Sequence, residues 1–266
     1  MQVRIEHRGA FVFATLDAPA TRNALTDEMV QALASALQQA QARPEVRALV
    51  VSGANGSFCA GGDFSAFKAL LAKPPPVGEP DPIIGFNRAF GTLLERLSDA
   101  DIATIAVVEG AAMGGGVGLA ACCDVVLAAS TAQFAMPELT LGLPPAQIAP
   151  FVAERIGHAA ALRLMFTGQR LTGEQAHAAG LVDEVLWPDA LQPRLLAWLS
   201  DLERAEPGAL RATKAVLRQA RTGPRTQALD GAAQAFAHCL RSGTAAEGLA
   251  AFAARRPPRW ASGEGA

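Results

Sequence analysis

Three consecutive glycines, Gly114-Gly115-Gly116, follow directly on the apolar run "ATIAVVEGAAM" and lead into another, "VGLAACCDVVLAAS". Glycine loses more backbone freedom on folding than any other residue. Three together inside apolar sequence therefore require something to approach the main chain too closely for side chains. A second junction has the same form: "VRALVVSG" runs into "ANGSFCAGGDF" and reaches Gly61-Gly62. In both places a short, almost wholly apolar strand, the kind buried on both faces, ends in a glycine turn that opens a helix. Those helices are expected from Phe64 and from Gly115, the latter to about Cys122.

The remaining pattern extends this unit. "VRIEHRGAFVFATLD" reads as two strands joined at Arg8-Gly9. Thr26 caps a helix whose first turn carries Asp27 and Glu28, where the helix dipole favours acids. Met29, Leu33, Ala36, Leu37 and Ala40 give that helix an apolar stripe. Ala72 to Pro82 is too rich in proline for regular structure and reads as a mobile surface loop. A helix follows from Ile83 to Ala100, and "DVVLAAS" is a strand. After "AQFAMPELTLGLPPAQIAPFV", which ends at Val152, the chain reads as mostly helical. Strands joined by helix-bearing crossovers, then helices alone, define an α/β core with a helical C-terminal region.

Composition narrows the function. The 266 residues are half apolar with a net charge of −2, which argues against a nucleic-acid surface needing a basic excess. No run approaches the roughly 18 apolar residues of a membrane span, and the opening lacks the long apolar stretch of a signal peptide. Cys59, Cys122, Cys123 and Cys239 show no metal-ligand spacing, so reduced thiols in a cytoplasmic protein are expected. His7, His158, His177 and His238 show no pair spacing and read as surface or capping residues.

The glycine junctions carry the chemistry. A helix N-terminus leaves N–H groups unpaired and holds about half a positive charge, and glycine exposes those donors. Two such donors converging from separate loops would form a preorganised pocket for an oxyanion. Tight packing of strand against helix is the plain alternative. Neither loop ends in the Gly-Lys-Ser/Thr of a triphosphate loop. "GVGLAA" matches a dinucleotide-binding pattern with Glu138 downstream, but that acid follows Pro137 rather than ending a strand.

Several motifs occur together in order: "NAL" at Asn23 to Leu25, "SFCAGGDF" at Ser57 to Phe64, "GAAMGGGVGLAACCDVVLA" at Gly110 to Ala128, "AQFAMPELTLGL" at Ala132 to Leu143, and "GLVDEV" at Gly180 to Val185. In this arrangement the chain resembles the crotonase family, the enoyl-CoA hydratases and isomerases, over nearly its whole length. The resemblance implies a crotonase-like ββα spiral core over 1–195 and a helical oligomerisation region over 196–266. It implies homotrimers or homohexamers, an acyl-CoA thioester substrate, and neither metal nor cofactor, because CoA arrives with the substrate. Leu195, Trp198, Leu199 and Leu202 are an apolar helix face suited to a subunit interface. Carried over by position, the backbone N–H groups of Gly62 and Gly115 hold the thioester oxygen of an enolate. Arg22, Ala24, Ala60, Gly61, Asp63, Phe64 and Gly114 resemble the segments that hold CoA, although Asp63 equally suits a helix cap.

Hydratases of the family present two glutamates, and one matches Glu138. The other should fall at position 118, which is Gly118. One carboxylate still serves hydration or double-bond isomerisation as general base and acid; without catalysis, the chain would be an acyl-CoA binder. "LGLPPAQIAPFVAERIG" and "FNRAFGTLLERL" resemble hydratases acting on isohexenylglutaconyl- and methylglutaconyl-type thioesters, which favours hydration. Gln147 and the Ala146 N–H are then candidates to position the water, with a loop-stabilising hydrogen bond the alternative for Gln147.

Overall fold

A computed structural model describes residues 2–73, 75 and 77–261. The chain opens with β1 (Val3–Arg8) and β2 (Phe11–Leu16), then α1 (Asp27–Gln41), β3 (Ala48–Gly53), α2 (Phe64–Leu71) and α3 (Pro82–Ser98). It continues through β4 (Ala103–Val108), β5 (Ala111–Met113), α4 (Gly115–Ala121), β6 (Val125–Ala129) and β7 (Gln133–Ala135). There follow α5 (Ala149–Ile156), α6 (His158–Thr167), β8 (Leu171–Thr172), α7 (Gly173–Ala178) and β9 (Glu184–Leu186). The helices α8 (Pro188–Glu203), α9 (Pro207–Thr222), α10 (Arg225–Arg241) and α11 (Thr244–Ala253) complete it.

The expected caps are present: Thr26 accepts from the Met29 N–H at the start of α1, and Asp63 accepts from the Ser65 N–H at the start of α2. Between Ala72 and Asp81 the described residues form no helix or strand; positions 74 and 76 of this proline-rich stretch lie outside the described residues.

The six-stranded sheet has the order β1-β2-β3-β4-β6-β9, parallel from β2 onward with β1 antiparallel at the edge. The central strands β3, β4 and β6 are apolar on both faces, as such runs predict. Leu49, Val51, Ala106, Val108, Val126 and Ala128 belong to the core shared with α1, α3 and α4. Their neighbours Ala48, Val50, Ile105, Val107, Leu127 and Ala129 face the other way and pack against Leu191, Leu195 and Leu199 of α8. The face of Leu195, Trp198, Leu199 and Leu202 therefore covers the chain's own sheet and is not a free subunit-interface face. Position 195 falls inside α8, so the sheet-covering layer runs on to Glu203.

β5, β7 and β8 form a second, smaller sheet that the sequence pattern did not reveal as strands. Two and three residues are too short to show a period of two. Each of β4 and β6 passes from the large sheet directly into a strand of the small one, then into helix. This is the strand-strand-helix unit of a spiral. Isolated bridges extend the small layer toward the N-terminus, Cys59 beside Ala112 and Leu25 beside Gly62. That lacing places the two glycine junctions side by side.

The C-terminal helices attach differently. α9 has no buried residue and reaches the core through a basic face. Arg211 donates to Asp101 and three backbone carbonyls, and Lys214 donates to Asp124 and the Ile102 carbonyl.

Candidate active site

The triple glycine answers to three different neighbours. A Cβ on Gly114 would lie 2.6 Å from the Glu138 Oε1, and its φ of +50° with ψ of −112° is a conformation side chains rarely adopt. A Cβ on Gly115 would lie 2.9 Å from Leu25 Cδ1 and 3.4 Å from the Phe90 ring. One on Gly116 would meet the Cys59 carbonyl oxygen at 2.7 Å and Cys59 Cβ at 2.8 Å. Only the first two of these neighbours border the candidate chemistry; at Gly116 the plain reading, strand packed on helix, is what the structure has.

The two proposed donors come from adjacent rungs of the small layer. The Met113 N–H donates to the Cys59 carbonyl and the Cys59 N–H to that of Ala111, while Gly61 abuts the Met113 carbonyl at 3.1 Å from its Cβ position. Gly62 follows on one rung and Gly115 on the other. Among the described residues neither N–H is donated to any acceptor. Gly115 is also the first residue of α4, where the N–H has no intrahelical partner. Beside Gly62 stands the Phe67 ring, 2.7 Å from that glycine's Cβ position. Phe67 meets Phe64 and Phe86 edge to face, each at 5.9 Å between ring centres, so aromatic rings wall both donors.

Glu138 begins a one-turn 3-10 helix, Glu138–Leu141, rather than an α-helix, and is half-buried. Its Oε2 is buried without a hydrogen-bond partner among the described residues. Burial raises its pKa above the usual carboxylate range, with its own backbone hydrogen bond opposing. An acid with one oxygen buried and without a partner is suited to exchanging a proton with something that enters the site.

Position 118 is closed. A Cβ on the buried Gly118 would land on Ile148 Cγ2 and lie 2.9 Å from Ile148 Cβ and 3.5 Å from Leu94 Cδ1. The volume in which a second carboxylate would start is therefore filled by Ile148, itself 4% exposed. The preceding residue, Gln147, donates from Nε2 to Asn87 Oδ1 at 2.9 Å. Ala146 is exposed, and its N–H is donated to no acceptor among the described residues.

The CoA-side residues separate into two groups. Ala60 donates its N–H to the Arg22 carbonyl, and the Leu25 N–H donates to the Gly61 carbonyl. These contacts bring Arg22, Ala24, Ala60 and Gly61 together at one edge. The Arg22 side chain is exposed, with no hydrogen bond or ion pair to a described residue. Asp63, by contrast, spends its carboxylate on the cap of α2, accepting from Ser65 N–H and Oγ at 2.8 and 2.7 Å, and the Ser65 hydroxyl in particular lowers its pKa. Phe64 stands 55% exposed at the start of that helix.

Asn23 emerges as the residue that fixes this edge, whereas the sequence marks it only as the first residue of the "NAL" motif, with no role assigned. It is fully buried, accepts from the Ala18 N–H, and donates to the carbonyls of Ala54 and Ser57. The signal available was its neighbourhood in "ATRNAL", since asparagine tolerates the positive φ that both Arg22 and Asn23 adopt.

Elsewhere, His7 is engaged by Arg43 and His177 by the Val182 carbonyl. Burial pushes the thiols of Cys59 and Cys123 up to about 12. Among the described residues no group of three or more His, Cys, Asp or Glu could hold a metal ion, and no helix is long and apolar enough to cross a membrane.

The fold is a spiral of strand-strand-helix α/β units in which two glycine junctions lie side by side and Glu138 borders one of them at Gly114. The sequence matches the family model "Enoyl-CoA hydratase/isomerase" over residues 6–263, and the chain belongs to that family. It is 32% identical over 245 residues to the 2,3-dehydroadipyl-CoA hydratase of Escherichia coli, covering 92% of each chain. Among solved structures it is similar to an enoyl-CoA hydratase/isomerase from Marinobacter aquaeolei, at a TM-score of 0.94 and 37% identity, covering 98% of this chain and 99% of that one. It is likewise similar to Pseudomonas aeruginosa AtuE, at a TM-score of 0.93 and 41% identity, covering 98% and 100%.

Proposed function

We propose that this chain adds water across the 2,3 double bond of an enoyl-CoA thioester, with Glu138 as its single carboxylate. The observation that carries the reading is Glu138, whose Oε1 lies against the Gly114 turn and whose Oε2 is buried without a partner among the described residues, next to a turn whose following N–H is donated to none of them. The thioester oxygen takes hydrogen bonds from the N–H groups of Gly62 and Gly115. Glu138 accepts a proton from water as the oxygen bonds to Cβ, and the displaced electron pair moves through Cα onto the thioester oxygen. Collapse of that enolate takes the proton from Glu138 to Cα and restores the carboxylate. Removing one such backbone donor typically costs about 2.7–4 kcal/mol of transition-state stabilisation.

Arg22, Ala24, Ala60, Gly61, Asp63, Phe64 and Gly114 form the CoA side, with the free Arg22 guanidinium facing a phosphate and Asp63 contributing through its cap. A branched or glutaconyl-type acyl group is supported by the resemblance of the 141–157 segment. The reaction needs no metal or further cofactor. Buried thiols suit a cytoplasmic setting. Exposed apolar residues on α10 and α11, such as Phe236 at 70% and Phe252 at 85%, support a homotrimer or homohexamer in which they are covered.

The closed position 118 favours one second reading, double-bond isomerisation, in which Glu138 moves a proton between Cα and Cγ and no water is used. Separate incubation of 2-enoyl- and 3-enoyl-CoA thioesters in ¹⁸O-water distinguishes the two. Label in the product from the 2-enoyl substrate is expected, and Glu138→Gln should lower turnover by about 10²–10⁴-fold with thioester affinity nearly unchanged. Reaction of the 3-enoyl substrate alone, without label, would overturn hydration. Binding without turnover of either substrate would leave an acyl-CoA binder.

A further inference from the structure

One face of α3 borders Gly115, Gly118 and Gln147. Asn87, Phe90, Gly91 and Leu94 recur at helical spacing, and each has a neighbour of consequence. Phe90 lies against Gly115 and Leu94 against Gly118. Asn87 Oδ1 accepts from Gln147 Nε2 at 2.9 Å. A Cβ on Gly91 would land on Gln147 Oε1 and lie 2.7 Å from Gln147 Cδ. Gly91 is buried inside a 17-residue helix, where alanine is intrinsically favoured, so its lack of a side chain has a local cause. That cause is the Gln147 carboxamide. The adjacent Ile148 meanwhile fills the space at Gly118.

We propose that Gln147 supplies the polar function of the missing second carboxylate by orienting the attacking water, and that Asn87 is a positioning residue acting through it. The inference rests on the hydratase reading. A carboxamide has two N–H donors and an acceptor oxygen. Asn87 takes one N–H and fixes the amide plane, leaving the other N–H to meet a water lone pair and the oxygen to accept the water proton that does not go to Glu138. Being neutral, the amide leaves Glu138 the only base.

Gly91→Ala separates positioning from structure, because its methyl displaces only flexible side-chain ends, those of Gln147 and of Arg88 at 3.1 Å, while favouring the helix. The experiment compares Gly91→Ala, Asn87→Ala and Asn87→Asp with the unaltered chain. It reads kcat and KM for 2-enoyl-CoA hydration, solvent-deuterium exchange at Cα of a saturated acyl-CoA, and Tm. Exchange needs Glu138 and the two N–H donors but no positioned water. Gly91→Ala and Asn87→Ala should lower kcat by about tenfold to a hundredfold, since loss of reacting geometry has effects of that size. KM, exchange and Tm should stay close to those of the unaltered chain, and Asn87→Asp, which keeps the acceptor, should retain most of the rate. Unchanged kcat in either variant, or parallel loss of exchange and Tm, would overturn the role. Failure of the hydratase reading would show earlier, as absence of ¹⁸O in the product of the unaltered chain.

Discussion

Gly118→Glu restores the carboxylate that the family pattern places at this position, yet here it should destabilise the protein. The new Cβ falls on Ile148 Cγ2 and 2.9 Å from Ile148 Cβ, and the remaining atoms must pass the same side chain. Ile148 is β-branched and stiff at χ1, and lies directly before α5, so it yields only by moving that helix. Overpacking of this kind costs about 1–3 kcal/mol, and an unpaired buried polar group adds a similar amount. A combined loss of about 4 kcal/mol lowers Tm by roughly 8–16 °C in a chain of this size. Ile148→Ala alone removes three buried carbons and costs about 2–5 kcal/mol. Combined with Gly118→Glu it opens the needed volume, so the double variant should melt well above the sum of the two losses, by a coupling of about 2 kcal/mol. Thermal denaturation of all four proteins at one concentration measures this. Strict additivity, or a Gly118→Glu protein melting within a degree or two of the parent, would refute the assignment of Ile148 as the occupant.

Two other outcomes follow from the site. Glu138 has its folded pKa raised by burial, so its protonated form is favoured in the fold; the stability this gives is full below the unfolded value of 4.5 and is lost as pH rises through the folded one. Glu138→Gln should therefore gain Tm over the parent as pH rises above that range, and the acidic limb of the parent's kcat/KM should lie above an ordinary carboxylate's. A pH series showing no growing gap would contradict the desolvation. Asn23→Ala orphans the Ala18 N–H and the carbonyls of Ala54 and Ser57, and should cost about 3 kcal/mol or more, with weakened CoA-thioester affinity measured by calorimetry.

The sequence by itself determined the class of fold, because buried parallel strands must be apolar on both faces and crossover helices must carry an apolar stripe. It also marked the glycine junctions, since a main chain approached closely has to be written in glycine, whereas Glu138 stood out only by its match to the family pattern. The 2–3-residue strands of the small sheet left no such trace, and neither did the destination of the α8 leucines, which pack on the chain's own strands. Tertiary structure alone decided which neighbour each glycine admits: Glu138 at Gly114, Cys59 at Gly116, Ile148 at Gly118 and Gln147 at Gly91. A glycine records that space is taken but not by what. The occupant comes from residues far along the chain, and only folding brings it there.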